Sequence, residues 1–186
     1  MSNQKTFLSV RELCATALGA ALMTVCAWIS IPAQVPFTLQ TFAVFFVTAL
    51  LGLKCGTLSV VVYLLLGAVG LPVFAGFQGG LGRLAGVTGG YLLGFVFSAI
   101  AVGLITKFFG RSFPVLILSM IVGLILCYAF GSAWFQILYI QTKGAITTGA
   151  VLSACVIPYL IPDAIKIILA AILVRRLQNH VSLAKI

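Results

Sequence analysis

The chain has 186 residues, of which 62% are hydrophobic and only 7% charged, and its mean hydropathy is +1.26. Soluble domains carry roughly 25% charged residues, so too little polar surface exists to cover this chain in water, and a soluble globular protein is excluded. The formal net charge of +9 does not indicate nucleic acid as a partner, because the basic residues are sparse and fall between apolar runs, as they do when they set membrane topology.

The sequence reads as a single integral membrane domain over residues 1–186, all-α and polytopic, with the lipid bilayer as its solvent. Lys5 and Arg11 precede an apolar run that is too long for a secretory leader and shows no A-x-A-like site, so it is the first span. Residues 13–53 contain no charge but are broken by prolines and polar groups at 32–40, giving a first span near 12–31 and a second near 37–53. The second is short against the roughly 20 residues a helix needs to cross a bilayer, and Lys54 ends it. A third span near 55–70 stops at Gly70-Leu71-Pro72. Seven of the seventeen residues from 74 to 90 are glycine, which resists a continuous helix. The fourth span lies near 91–107 and the fifth near 113–133, the latter closing in Trp134 and Tyr139, aromatic types that favour the interface. The sixth, near 148–175, ends at Arg175-Arg176.

Six spans put both termini on one side with the turns at Lys54 and at Lys107/Arg111. That side collects Lys5, Arg11, Lys54, Lys107, Arg111, Arg175, Arg176 and Lys185, whereas the other has only Arg83 and Lys143. The positive-inside rule then places both termini in the cytoplasm. It also leaves Arg83 as an isolated charge in a glycine-rich outer loop.

Function classes narrow by what is missing. Cys14, Cys26, Cys55, Cys127 and Cys155 are odd in number and none are at metal-ligand spacing, so they read as packing residues, with no metal site. The sole histidine, His180, falls in the C-terminal tail, no second acid accompanies Asp163, and no ATP-binding motif is present. The chain reads as a non-enzyme without a cofactor, and uphill transport by ATP requires a motor in another subunit.

One anomaly remains. Pro158-Tyr159-Leu160-Ile161-Pro162-Asp163-Ala164-Ile165-Lys166 sets a carboxylate and an ammonium three residues apart in an apolar run, on one face if helical. Each costs about 2.5–3.5 kcal/mol near the middle of a membrane helix, and such residues face a cavity or the protein interior. The plainer alternative is an ion pair that only neutralises itself. Twelve residues separate Asp163 from Arg175, about 18 Å of helix against a hydrocarbon core about 30 Å thick, which puts Asp163 in the outer half of the span. Pro162 marks either a kink or a helix start there. Gln78, Arg83 and Tyr91 accompany the glycine-rich loop, where backbone approaches a ligand closely and Arg suits a carboxylate. On the first span Ala15/Gly19 and Ala17/Ala21 are small-x-x-x-small pairs, serving either the bundle or contact with another protein.

Pro36-Phe37-Thr38-Leu39-Gln40-Thr41, Tyr63-Leu64-Leu65-Leu66-Gly67-Ala68-Val69-Gly70-Leu71-Pro72-Val73-Phe74, Thr88-Gly89-Gly90-Tyr91 and Pro162-Asp163 with Lys166 together resemble BioY, the biotin-binding S components of energy-coupling factor (ECF) transporters. The resemblance implies six membrane helices in a bacterial cell membrane and a biotin pocket toward the outside. It also implies as partners a transmembrane coupling protein and two cytoplasmic ATPases, docked through small residues of the first helix. On this reading Asp163 and Lys166 grip the ureido ring, Phe37, Phe74 and Tyr91 pack the rings, and Arg83 holds the carboxylate; the swap, with Lys166 on the carboxylate, stays open. A stand-alone proton-coupled carrier titrating Asp163 is the alternative.

Overall fold

Ser9 starts the first helix by chemistry that its sequence spells out. Its hydroxyl accepts from the Glu12 backbone N–H, and the Glu12 carboxylate accepts in return from the Ser9 N–H at 2.7 Å, closing a capping box from which α1 (Val10–Trp28) runs. The structure, a computed structural model, describes residues 8–33 and 35–179. Lys5, Gln34, His180 and Lys185 lie outside the described residues.

The proline-rich break after α1 closes on itself. β1 (Ser30–Ile31) and β2 (Phe37–Thr38) pair antiparallel, with Ser30 opposite Thr38. Among the described residues this ladder and one isolated bridge between Phe74 and Gln78 are the only β pairings in a helical fold, and the second helical run starts at Gln40 rather than at 37.

That run, α2 (Gln40–Ala68), is broken at Gly52, whose φ of 82° and ψ of −179° suit glycine alone. The chain doubles back there. A Cβ added at Gly56 would stand 2.5 Å from the Thr48 Cα, although a continuous helix holds those positions about 12 Å apart. Arg111 donates to the Leu50 carbonyl at 3.0 Å, satisfying one acceptor that the broken helix leaves open. The expected boundary between spans at 53/55 falls one to three residues from this reversal.

α3 (Leu81–Ala85) is a single short helix in the glycine-rich segment, and α4 (Gly89–Phe109) follows. α5 departs most from expectation: it runs from Phe113 to Lys143, past the expected end at 133. Residues 134–143 contain neither glycine nor proline, so nothing stops the helix until Gly144, at φ 104°. Its 31 residues extend about 46 Å, beyond a bilayer core, and Trp134 lies within it, donating to the Gly86 carbonyl at 3.1 Å. The last span is split. α6 (Thr148–Cys155) ends in a 3-10 turn at Ile157–Tyr159, and α7 (Leu160–Leu177) restarts with Pro162 in its first turn.

Among the described residues five helical stretches are long and apolar enough to cross a membrane: Val10–Trp28, Gln40–Ala68, Gly89–Phe109, Phe113–Lys143 and Thr148–Leu177. Their inner faces form two buried clusters. One holds Met23, Tyr63, Phe74, Tyr91 and Phe95 near the broken last span, and the other holds Phe45, Leu116, Met120 and Val174 toward the α7 C-terminus. Leu18, Leu118 and Ile165 stay exposed, as outward faces do when lipid rather than water covers them.

A buried polar pocket as candidate binding site

The break before α7 leaves Asp163 and Lys166 in its first two turns, 2% and 5% exposed. Burial this deep is tolerated only with partners, and they come from three other elements. Lys166 Nζ donates to Asp163 Oδ1 at 2.7 Å, to the Thr38 carbonyl at 2.6 Å and to Thr41 Oγ1 at 3.2 Å. Asp163 Oδ1 also accepts from the Thr41 hydroxyl at 3.0 Å, and Oδ2 accepts from the Tyr128 hydroxyl of α5. An ammonium has three N–H donors, and all three are engaged. The carboxylate has room for about four donors and receives three from these partners. Lys166 Nζ further lies 4.4 Å from the Phe37 ring centroid, within cation–π range, and Phe37 stacks on Tyr159 at 6.3 Å.

A second network fixes the wall opposite. The Thr38 hydroxyl donates to Gln40 Oε1 at 3.1 Å, Gln40 Nε2 donates to the Tyr63 hydroxyl, and Tyr63 donates to the Val73 carbonyl at 3.2 Å. This chain ties β2 to the segment carrying Phe74. The Phe74 ring lies against Gly67, and the Tyr91 ring against Gly131, where an added Cβ would overlap each ring. Glycine is needed at both places for the aromatic side chain to lie flat on the helix backbone. The Tyr91 hydroxyl is paired with Ser132 Oγ at 3.0 Å.

Between these walls lies a cavity that is partly open to the outside, the kind of concave, mostly apolar setting in which small-molecule sites form. Asp163, Lys166, Phe74, Tyr91 and Arg83 all line it, so five of the seven expected ligand residues converge. Arg83 reaches it from α3, half-buried. Phe37 lies behind the ion pair rather than on the lining, and Gln78 is exposed, its carbonyl accepting from the Phe74 N–H at 2.9 Å. That contact closes a turn capped by Trp28, which stacks on Phe77 at 5.0 Å and donates to the Pro72 carbonyl at 2.8 Å.

The small residues of α1 divide between its faces. Gly19 is buried against Ser59 and Val47 inside the bundle, Ala15 is half-buried, and Ala17 and Ala21 are exposed side by side on the outer face. Thr41, Tyr128, Tyr159 and Phe95 also line the cavity, and of these only Tyr159 lies in the charged stretch that stands out in the sequence. Thr41 did lie within the motif that carried the family resemblance.

A largely apolar helical bundle with a buried, hydrogen-bonded charge pair lining a partly open cavity is the architecture of a membrane protein with an internal small-molecule site. The comparisons make the class specific. The BioY family model matches residues 1–183, and the chain belongs to the BioY family. It is 43% identical over 171 residues to the biotin transporter BioY of Thermotoga maritima, covering 91% of this chain and 97% of that one. It is 37% identical over 174 residues to the probable biotin transporter BioY of Pyrococcus horikoshii, covering 93% and 99%. The crystal structure of the S-component for biotin from an ECF-type ABC transporter is similar throughout, with a TM-score of 0.81 and 28% identity over 96% of this chain and 95% of that one.

Proposed function

We propose that this chain is a biotin-binding S component that takes up biotin together with an ECF module and does no catalysis itself. The observation that carries the reading is the Asp163–Lys166 pair on the wall of an otherwise mostly apolar cavity. Biotin's ureido ring offers two N–H donors and a carbonyl acceptor. Asp163 has a remaining acceptor site for the N–H groups, and Lys166 can exchange a contact with Thr38 or Thr41 for the ligand carbonyl. A site built of both partners rejects molecules lacking either one. Phe74 and Tyr91 supply apolar faces for the bicyclic rings, and Arg83, nearer the loop side, supplies a two-pronged partner for the carboxylate.

The module we propose comprises a transmembrane coupling protein and two cytoplasmic ATPases. The exposed Ala17/Ala21 face of α1 supports docking there, because small residues admit a partner helix closely. We propose six crossings with both termini cytoplasmic, a count supported by the two limbs of α2 on either side of Gly52 and an orientation supported by the basic residues at one end, and we propose a bacterial cell membrane as the location. In the test, biotin is titrated into the purified chain in nanodiscs without nucleotide. One-to-one binding is expected, and no detectable binding overturns the reading. Recovery of the ATPases with the tagged chain from its native membrane tests the partnership.

A further inference from the structure

The end of the bundle opposite the Asp163 cavity carries a second, chemically different site. There the Gly52 reversal, the first turn of α1 and the α4–α5 turn surround a pocket open to the outside. Three cations face it against one carboxylate. Lys54 bonds Glu12 at 3.3 Å with its side chain half exposed, Lys107 lies in the last turn of α4, and half-buried Arg111 spends one guanidinium nitrogen on the Leu50 carbonyl. The helical limb beginning at Leu53 also turns its N-terminus into this space. The pocket thus holds two formal positive charges beyond those that Glu12 neutralises.

This charged pocket does not end in protein. Leu53 and Lys54 also line an apolar groove that continues along Leu58 and Val61 to Ile100. Ile100 in turn borders a second apolar groove between α4 and α5, running past Leu104 and Phe97 to Phe130. Two greasy channels therefore flank Ile100 on the bilayer-facing surface, both starting within a turn of the cationic pocket. A soluble anion accounts for the charges and leaves both grooves bare. A hydrocarbon tail accounts for the grooves and leaves the charges unanswered.

We propose that this end binds one anionic phospholipid, its phosphate among Lys54, Lys107 and Arg111 and its acyl chains in the grooves on either side of Ile100. Positive charges at a membrane surface attract anionic headgroups. Here the adjoining grooves add a fixed position for the tails, which turns a diffuse attraction into a site.

The test is native mass spectrometry of the full chain released with equimolar phosphatidylglycerol and phosphatidylcholine of the same acyl length. One retained phosphatidylglycerol per chain, in preference to phosphatidylcholine, is expected. The double variant Lys54→Gln/Lys107→Gln should lower that retention about tenfold, Val61→Trp should lower it by blocking a groove, and excess inorganic phosphate should leave it in place. Equal retention of the two lipids overturns the proposal, as does a double variant that holds phosphatidylglycerol like the parent. Displacement by inorganic phosphate with no effect of Val61→Trp also overturns it, by making a soluble anion the occupant. Biotin retention in the same spectra verifies that each variant is folded, and the milder Lys107→Gln alone replaces any variant that is not.

Discussion

The two ends of the bundle both hold charge, and they hold it in opposite ways. At the Asp163 end a single cation and a single anion are almost wholly buried, and the partners come from β2, α2 and α5. At the Gly52 end Lys54, Lys107 and Arg111 outnumber Glu12, and two of them are exposed. A balanced, desolvated pair can grip a neutral polar ring, because any ligand group that replaces a partner must reproduce its hydrogen bond. An unbalanced, wet cluster attracts charge but cannot discriminate shape. On the proposed readings, selectivity for a small molecule belongs to the first end, and placement in the bilayer to the second.

The contrast breaks most readily at Asp163. Asp163→Asn leaves the Lys166 ammonium buried without its counter-charge, and biotin affinity should fall at least tenfold, about 1.4 kcal/mol, by calorimetry. Lys166→Ala should do the same from the other side, and wild-type affinity in both variants would reduce the pair to a self-neutralising contact. Tyr128→Phe removes one donor to the carboxylate and nothing else, so a loss of about 1 kcal/mol, about fivefold in affinity, is expected. Arg83→Ala should weaken biotin more than a biotin ester, with equal losses ruling out its role on the carboxylate. The smallest effect on biotin should come from the other end. Arg111→Gln loses the tie to the Leu50 carbonyl and should lower the melting temperature while leaving biotin affinity at its parental value. A parallel fall in affinity would show that the two ends are not separate.

Much of this contrast was legible in the sequence because charge is so scarce in it. Asp163 and Lys166 stood out in an apolar run, and Lys54 marked the end of a limb within two residues of the Gly52 reversal. Uncharged partners gave no such signal. Thr41 and Tyr128 reach Asp163 across sequence separations of 122 and 35 residues, and a hydroxyl among apolar residues looks like ordinary packing until the helices are assembled. Phe37 lies under the Lys166 ammonium rather than on the cavity lining, a placement that its spacing in the sequence does not reveal. The end of α5 was not legible: the helix continues for nine residues past Trp134, whose indole bonds the Gly86 carbonyl. The small-residue pairs of α1 looked alike by spacing, and only the packing of Ser59 against Gly19 separates the inward pair from the outward one.

The most direct test of the central claim is a paired biotin titration of the parent chain and Asp163→Asn, both in nanodiscs without nucleotide or partner subunits. The parent should bind one biotin per chain, and the variant should bind at least tenfold more weakly while keeping its melting temperature without ligand high enough to remain folded. Equal affinities in two folded proteins would contradict the account, because the pocket around Asp163 and Lys166 would then not be where biotin is held.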